Sequence, residues 1–199
     1  MIRTFLAVEV SDEVRTAISQ VQQDLKERLT PQLSREIRIT WGQLNSFHLT
    51  MRFLGETEKD LIDPLREAIA TVRRAHPTIQ IPIDRLQAFP NFQKPRVLWV
   101  GPSEEWLKSE SAKQLAALHQ AIESCCHSFG FAPDEKTFSP HLTLARIKSG
   151  EREVGQLLAQ RGVCDRAVSL GTVTVGPIVL MKSQLRPTGP VYTKLWEVG

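Results

Sequence analysis

The sequence predicts an α+β fold of two pseudo-symmetric lobes around a central cleft, each lobe a small mixed or antiparallel sheet with helices on its outer face. Three observations predict it. Strand-like and helix-like runs follow the order strand, helix, strand, helix, strand, and that order occurs twice. One strand-like run in each copy carries the same pattern, His48-Leu49-Thr50-Met51 in the first and His141-Leu142-Thr143-Leu144 in the second. The interval from histidine to the next helix is also similar, nine residues to Thr57 and ten to Glu151. The chain therefore reads as one domain, 1–199, with repeats at about 1–88 and 96–182 and a C-terminal tail at 183–199.

Thr4 to Val10 is rich in strand formers, and Ser11-Asp12-Glu13 supplies an N-cap with acids in the first turn. The helix that follows has an apolar stripe at Val14, Ile18, Val21, Leu25 and Leu29 and ends at Pro31. A short strand is expected around Ile37 to Trp41, followed by the first His-x-Thr strand. The next helix starts at about Thr57, with Thr57 as its cap, Pro64 in its first two turns and a stripe of Leu61, Leu65, Ile69 and Val72. Ile79 to Leu86 reads as a single strand.

In the second copy Arg96 to Val100 is strand-like, and a helix from about Ser109 carries Leu115, Leu118, Ile122 and Cys125 before Gly130 stops it. After the second His-x-Thr strand come a helix through Val154, Leu157 and Leu158, closed by Gly162, and strands at Ala167 to Val175 and Ile178 to Met181. The loop Phe89 to Pro95 falls outside the repeat. So does the tail Leu185 to Val198, with a Pro187-Thr188-Gly189-Pro190 turn and a terminal strand.

Hydrophobic residues make up 41% of the 199 and charged residues 24%, ordinary values for a globular chain. No apolar run approaches the ~20 residues that span a bilayer, and Met1 to Val10 lacks a secretory cleavage pattern. A cytoplasmic monomer with no membrane contact is expected. A net charge of +3 and a pI near 8.9 favour a polyanionic partner without reaching the basic excess of a dedicated nucleic-acid binder. Cys125, Cys126 and Cys164 are odd in number and lack CxxC spacing, so they indicate neither a disulfide framework nor a zinc knuckle.

Period-2 alternation would send Leu49, Met51 and Phe53 into a core while His48, Thr50 and Arg52 look into the cleft. In the second motif Leu142 and Leu144 would pack, and His141 and Thr143 would face the cleft. Three readings compete for the histidines: satisfied strand residues, metal ligands, or a metal-free acid and base. The metal reading lacks support, because neither segment has a carboxylate at a neighbouring cleft-facing position and His76, His119 and His127 share no pattern. In the third reading one neutral imidazole takes a proton while the other, as imidazolium, gives one up. Each threonine hydroxyl beside its imidazole offers a hydrogen bond to the same anion. There is no Gly-x-Ser-x-Gly elbow, no phosphate-binding Gly-x-x-x-x-Gly-Lys loop and no Gly-x-Gly-x-x-Gly turn, so neither a serine nucleophile nor a nucleotide cofactor is implied.

His48-Leu49-Thr50-Met51-Arg52-Phe53-Leu54-Gly55 and His141-Leu142-Thr143-Leu144-Ala145-Arg146 resemble the paired signatures of the two-histidine phosphoesterase superfamily. The opening Arg3-Thr4-Phe5-Leu6-Ala7-Val8 is similar to its RNA 2′,3′-cyclic phosphodiesterase branch, the 2′-5′ RNA ligase-like proteins. So are Phe89-Pro90-Asn91, Pro95-Arg96-Val97-Leu98-Trp99-Val100-Gly101 and Gly189-Pro190-Val191-Tyr192. The resemblance implies hydrolysis of an RNA 2′,3′-cyclic phosphate to a 2′-phosphomonoester without metal or cofactor. It implies that His48 donates a proton to the leaving 3′ oxygen and His141 accepts one from water, although a pseudo-symmetric cleft admits either order. Thr50 and Thr143 would hold phosphate oxygens. Arg146 would lie by the nucleotide, and since strict alternation puts it opposite His141, that role requires a strand end or a bulge. The same acid and base would also catalyse the reverse ligation, and an RNA-end-binding module without catalysis is the alternative from another class. Two positions depart from the family pattern: Ser139 stands where arginine is frequent, and Met51 where leucine is usual.

Overall fold

The computed structural model describes residues 1–164, 166–186 and 189–199. Two four-stranded antiparallel sheets frame the molecule. One runs in the order β10-β9-β1-β3, from β1 (Ile2–Glu9), β3 (His48–Thr57), β9 (Ile178–Arg186) and β10 (Gly189–Val198). The other runs β2-β7-β6-β5, from β2 (Arg38–Trp41), β5 (Arg85–Phe89), β6 (Val97–Gly101) and β7 (Leu142–Ser149). A two-stranded ribbon pairs β4 (Ile79–Pro82) with β8 (Thr172–Val175). The expected α+β class with antiparallel sheets is thus observed, and each large sheet takes strands from both halves of the sequence.

Serine caps start the two long helices. Ser11 Oγ accepts from Val14 N–H at the head of α1 (Asp12–Leu29), and Ser109 Oγ accepts from Ala112 N–H at the head of α3 (Glu110–Ser128). Helix α2 (Ile62–Arg74) packs on α3 and β10, and α3 also packs on β3, so this pair backs the first sheet. Helix α1 reaches the second sheet through buried Gln22, whose Nε2 donates to the carbonyls of Gly42 and Leu144 at 2.9 and 3.0 Å. Helix α4 (Glu151–Gln160) lies against α1. Gly155 lets the 89–95 loop rest on α4: a Cβ there would stand 2.4 Å from the Phe92 carbonyl oxygen. Among the described residues no helix is long and apolar enough to cross a membrane.

Several expectations are corrected. Thr57 is not a helix cap but the last residue of β3, fully buried, with its hydroxyl 2.7 Å from that of Thr4; α2 begins only at Ile62, after a 3-10 turn at Lys59–Leu61. The single strand expected over Ile79 to Leu86 is two, because 79–82 pairs with β8 and 85–89 with β6. Of Ala167 to Val175 only Thr172–Val175 is a strand, with Ala167 making an isolated bridge to Arg85. In α3 the fourth buried stripe position is Cys126 rather than Cys125. Of the turn expected at 187–190, Pro187 and Thr188 lie outside the described residues.

Arg52 and Phe53 exchange the faces that alternation gives them. Leu6 pairs with Arg52 and Ala7 with Thr50, leaving Met51 as an extra residue in β3. Such a bulge shifts the phase of every side chain after it. Arg52 is therefore turned inward, 5% exposed, and Phe53 outward, 54% exposed. Arg52 NH1 donates to the Phe53 carbonyl and NH2 to that of Ala132, while Nε lies 2.5 Å from Glu123 Oε1 and NH1 3.7 Å from Asp134 Oδ2. The Nε contact is a charge contact only, since neither Nε nor Oε1 makes a hydrogen bond. His119 sits beside Glu123 at 3.9 Å and stacks on Phe138.

Candidate active site

The same bulge occurs after the second motif. Trp99 pairs with Thr143 and Leu98 with Ala145, leaving Leu144 extra in β7. Its carbonyl accepts from Gly42 N–H and from Gln22 Nε2, so the acceptor that the bulge turns out of the regular ladder is satisfied. Arg146 thereby moves to the face of Thr143 and is exposed there, as its expected role demands.

His48 opens β3, and His141 stands one residue before β7. Each ring makes the same bond: His48 Nδ1 is 2.7 Å from the Ser46 carbonyl oxygen, and His141 Nδ1 is 2.7 Å from that of Ser139. A carbonyl only accepts, so Nδ1 carries the proton and Nε2 is left with its lone pair. Aromatic rings hold both imidazoles. Phe5 lies 4.7 Å from His48 and Tyr192 meets it edge-on at 5.1 Å; Phe89 meets His141 edge-on at 5.1 Å, with Trp99 at 5.9 Å.

Burial dominates the electrostatics of both rings. It pushes the pKa of His48 down to about 4, against the Ser46 carbonyl, which favours the protonated form; the positive charges of His141 and Arg146 lower it further. His141 is also lowered, by burial first and then by Arg146, against the Ser139 carbonyl. The charges of His141 and Arg146 act on His48, and Arg146 acts on His141 as well, while β3 and β7, which carry the two motifs, are in contact. Leu49 and His141 also line one small cavity. Thr50 and Thr143, each two residues beyond its histidine, are half-buried, and neither hydroxyl has a hydrogen-bond partner among the described residues.

Among the described residues no three His, Cys, Asp or Glu side chains are grouped as metal ligands would be. A separate depression of about 490 Å³ lies at the start of α4, lined by Lys94, Arg96, Glu151, Arg152 and Glu153. It is at the far end of β7 from His141 and mixes both signs of charge. The aromatic walls of Phe5, Phe89, Trp99 and Tyr192 went unread in the sequence, as did the seating of the rings. A signal existed for the seating: Ser46 and Ser139 each precede a motif histidine by two residues.

A sequence model of the 2′-5′ RNA ligase superfamily matches residues 42–185, a span that includes both histidines and both threonines. The chain belongs to this superfamily. An RNA 2′,3′-cyclic phosphodiesterase of Aeropyrum pernix is 35% identical over 77% of this chain and 81% of its own length. One from Methanothermobacter thermautotrophicus is 27% identical over 98% and 96%. In fold, this superfamily member matches the crystal structure of E. coli LigT complexed with 3′-AMP with a TM-score of 0.72, at 21% identity over 99% of this chain and 98% of that one.

Proposed function

We propose that the protein hydrolyses the terminal 2′,3′-cyclic phosphate of RNA to a 2′-phosphomonoester by acid and base catalysis between His48 and His141. The observation that supports this reading is the matched seating of the two imidazoles, each with Nδ1–H spent on a carbonyl and Nε2 without a hydrogen-bond partner among the described residues. Neutral His141 takes a proton from water as its oxygen attacks phosphorus. The bond from phosphorus to the 3′ oxygen breaks, and protonated His48 delivers a proton to that oxygen, leaving the ester on the 2′ oxygen. Free His48, with a pKa of about 4, is neutral near pH 7. A bound phosphate anion acts with the opposite sign to Arg146 and raises that pKa, so substrate recruits its own acid. The unpartnered hydroxyls of Thr50 and Thr143 are placed to hold the non-bridging oxygens, and Arg146 to neutralise their charge.

The matched bulges and matched serine-to-histidine bonds also support reading 1–88 and 96–182 as two copies of one unit. The test is incubation with an RNA ending in 2′,3′-cyclic phosphate, with and without excess chelator. A 2′-phosphate product formed equally in both is expected. A 3′-phosphate product, or activity abolished by chelation and restored by Zn²⁺ or Mg²⁺, would overturn the reading.

A further inference from the structure

A cyclic phosphate closes the 3′ end of its strand, so every other nucleotide lies on its 5′ side and must leave the cleft by one route. The two ends of the cleft differ in charge. Beyond His48, β1 ends at Glu9, which faces His48 across the strand pair. Glu9 and Glu197 together hold Lys194, at 2.5 and 2.7 Å, so this end presents two carboxylates for one ammonium and repels phosphate.

The second sheet offers the opposite. After the bulge at Leu144, Arg146 and Lys148 are exposed on either side of buried Ile147, which fixes both on the cleft face. On the neighbouring edge strand β2, Thr40 pairs with Arg146; a register shift then sets Arg38 against Ser149 and leaves Lys148 as an extra residue in β7, but β2 itself keeps its alternation, so exposed Arg38 stays on the face of Thr40. Ser149 Oγ accepts from Arg38 N–H and donates to the Glu36 carbonyl, pinning the strand end that carries Arg38. None of the three cations has an ion pair among the described residues. Arg146 and Lys148 are two residues apart, at most about 7 Å along β7, within the separation of successive phosphates in an extended chain.

We propose that the RNA 5′ of the cyclic phosphate runs from the cleft over β7 and β2, its phosphates met by Arg146, Lys148 and Arg38, so that the preferred substrate is an oligonucleotide rather than a cyclic mononucleotide. The proposal rests on the reading of the histidine cleft given above, and its test separates the two. The double variant Arg38→Gln/Lys148→Gln is compared with wild type on a 2′,3′-cyclic mononucleotide and on a ten-nucleotide RNA with the same end, across a salt series.

Wild type should favour the oligonucleotide, with kcat/KM falling as salt rises. In the variant the slope of log kcat/KM against log salt should be shallower by about 1.4, from two contacts at about 0.7 each on single strands. Turnover of the mononucleotide should change less than about twofold. Equal loss on both substrates, or an unchanged salt slope, overturns the proposal. Should wild type cleave neither substrate, it is the phosphodiesterase reading that fails. Fluorescence anisotropy of a labelled RNA ending in 2′-phosphate still decides the track: binding weakened in the variant sustains it, and binding unchanged overturns it.

Discussion

Replacing Arg52 by methionine should destabilise the protein by about 3 kcal/mol, the lower end of what breaking a buried ion pair costs. The side chain is 5% exposed, so its charge contacts are little screened, and its NH groups satisfy the carbonyls of Phe53 and Ala132. Methionine fills similar space but leaves Glu123 beside His119 with no cation. Glu123 is 21% exposed and regains some hydration, which is why the lower end applies. Adding Glu123→Leu should then recover part of the loss, because the second change removes the stranded charge. Urea unfolding of both single variants and the double, followed by tryptophan fluorescence, closes the cycle. If Arg52→Met stays within about 1 kcal/mol of wild type, or if the two losses simply add, Arg52 does not clamp β3 to α3 and the loop leading to His141.

Gly155→Ala gains about 1 kcal/mol of helix propensity yet should lower Tm, because the new Cβ would overlap the Phe92 carbonyl; an unchanged or raised Tm refutes the close packing of that loop on α4. Leu49→Ala and Leu142→Ala, both at buried positions, should each cost ~2 to 5 kcal/mol in chemical unfolding. His48→Ala and His141→Ala should each lower kcat by ~10²- to 10⁴-fold while the protein still folds, and the double variant should lose less than the product of the two. His48 resists protonation in the folded state, with a pKa of about 4 against 6.5 unfolded. Its contribution is thus intact above about pH 6.5 and is lost as pH falls towards 4, by roughly 3 kcal/mol. His48→Gln should flatten that part of the stability curve, and an equally steep loss in the variant would contradict the buried, neutral ring.

Local patterns in the sequence carried the helices and the paired motifs, since an i, i+3, i+4 stripe and a serine cap are decided within one turn. Ser11 caps α1 where expected, the helix expected from about Ser109 starts there, and four of the five stripe positions of α1 are buried. Non-local pairing was not legible. Thr57 reads as a cap because its true partner, Thr4, is 53 residues away. The segment 79–86 looks continuous because nothing in it shows that its ends join different partners. The bulges at Met51 and Leu144 are set by register against β1 and β6, so alternation sent Arg52 and Phe53 to the wrong faces. Arg146 escaped that error only because its role as read from the family required a break in phase.

The repeated bulge also makes Phe53 and Arg146 counterparts. Each is five residues past its histidine and two past an extra residue, and each is exposed on the cleft side of its sheet. Two nearly equivalent half-sites would accept a ligand either way round, and the roles of donor and acceptor would then be interchangeable. Here one half ends in a ring and the other in a guanidinium. A nucleotide whose base met the first and whose charge met the second would have only one orientation, and polarity would then be set outside the four motif residues. Exchanging those two side chains is accordingly the smallest edit that could turn the substrate end for end without touching either imidazole.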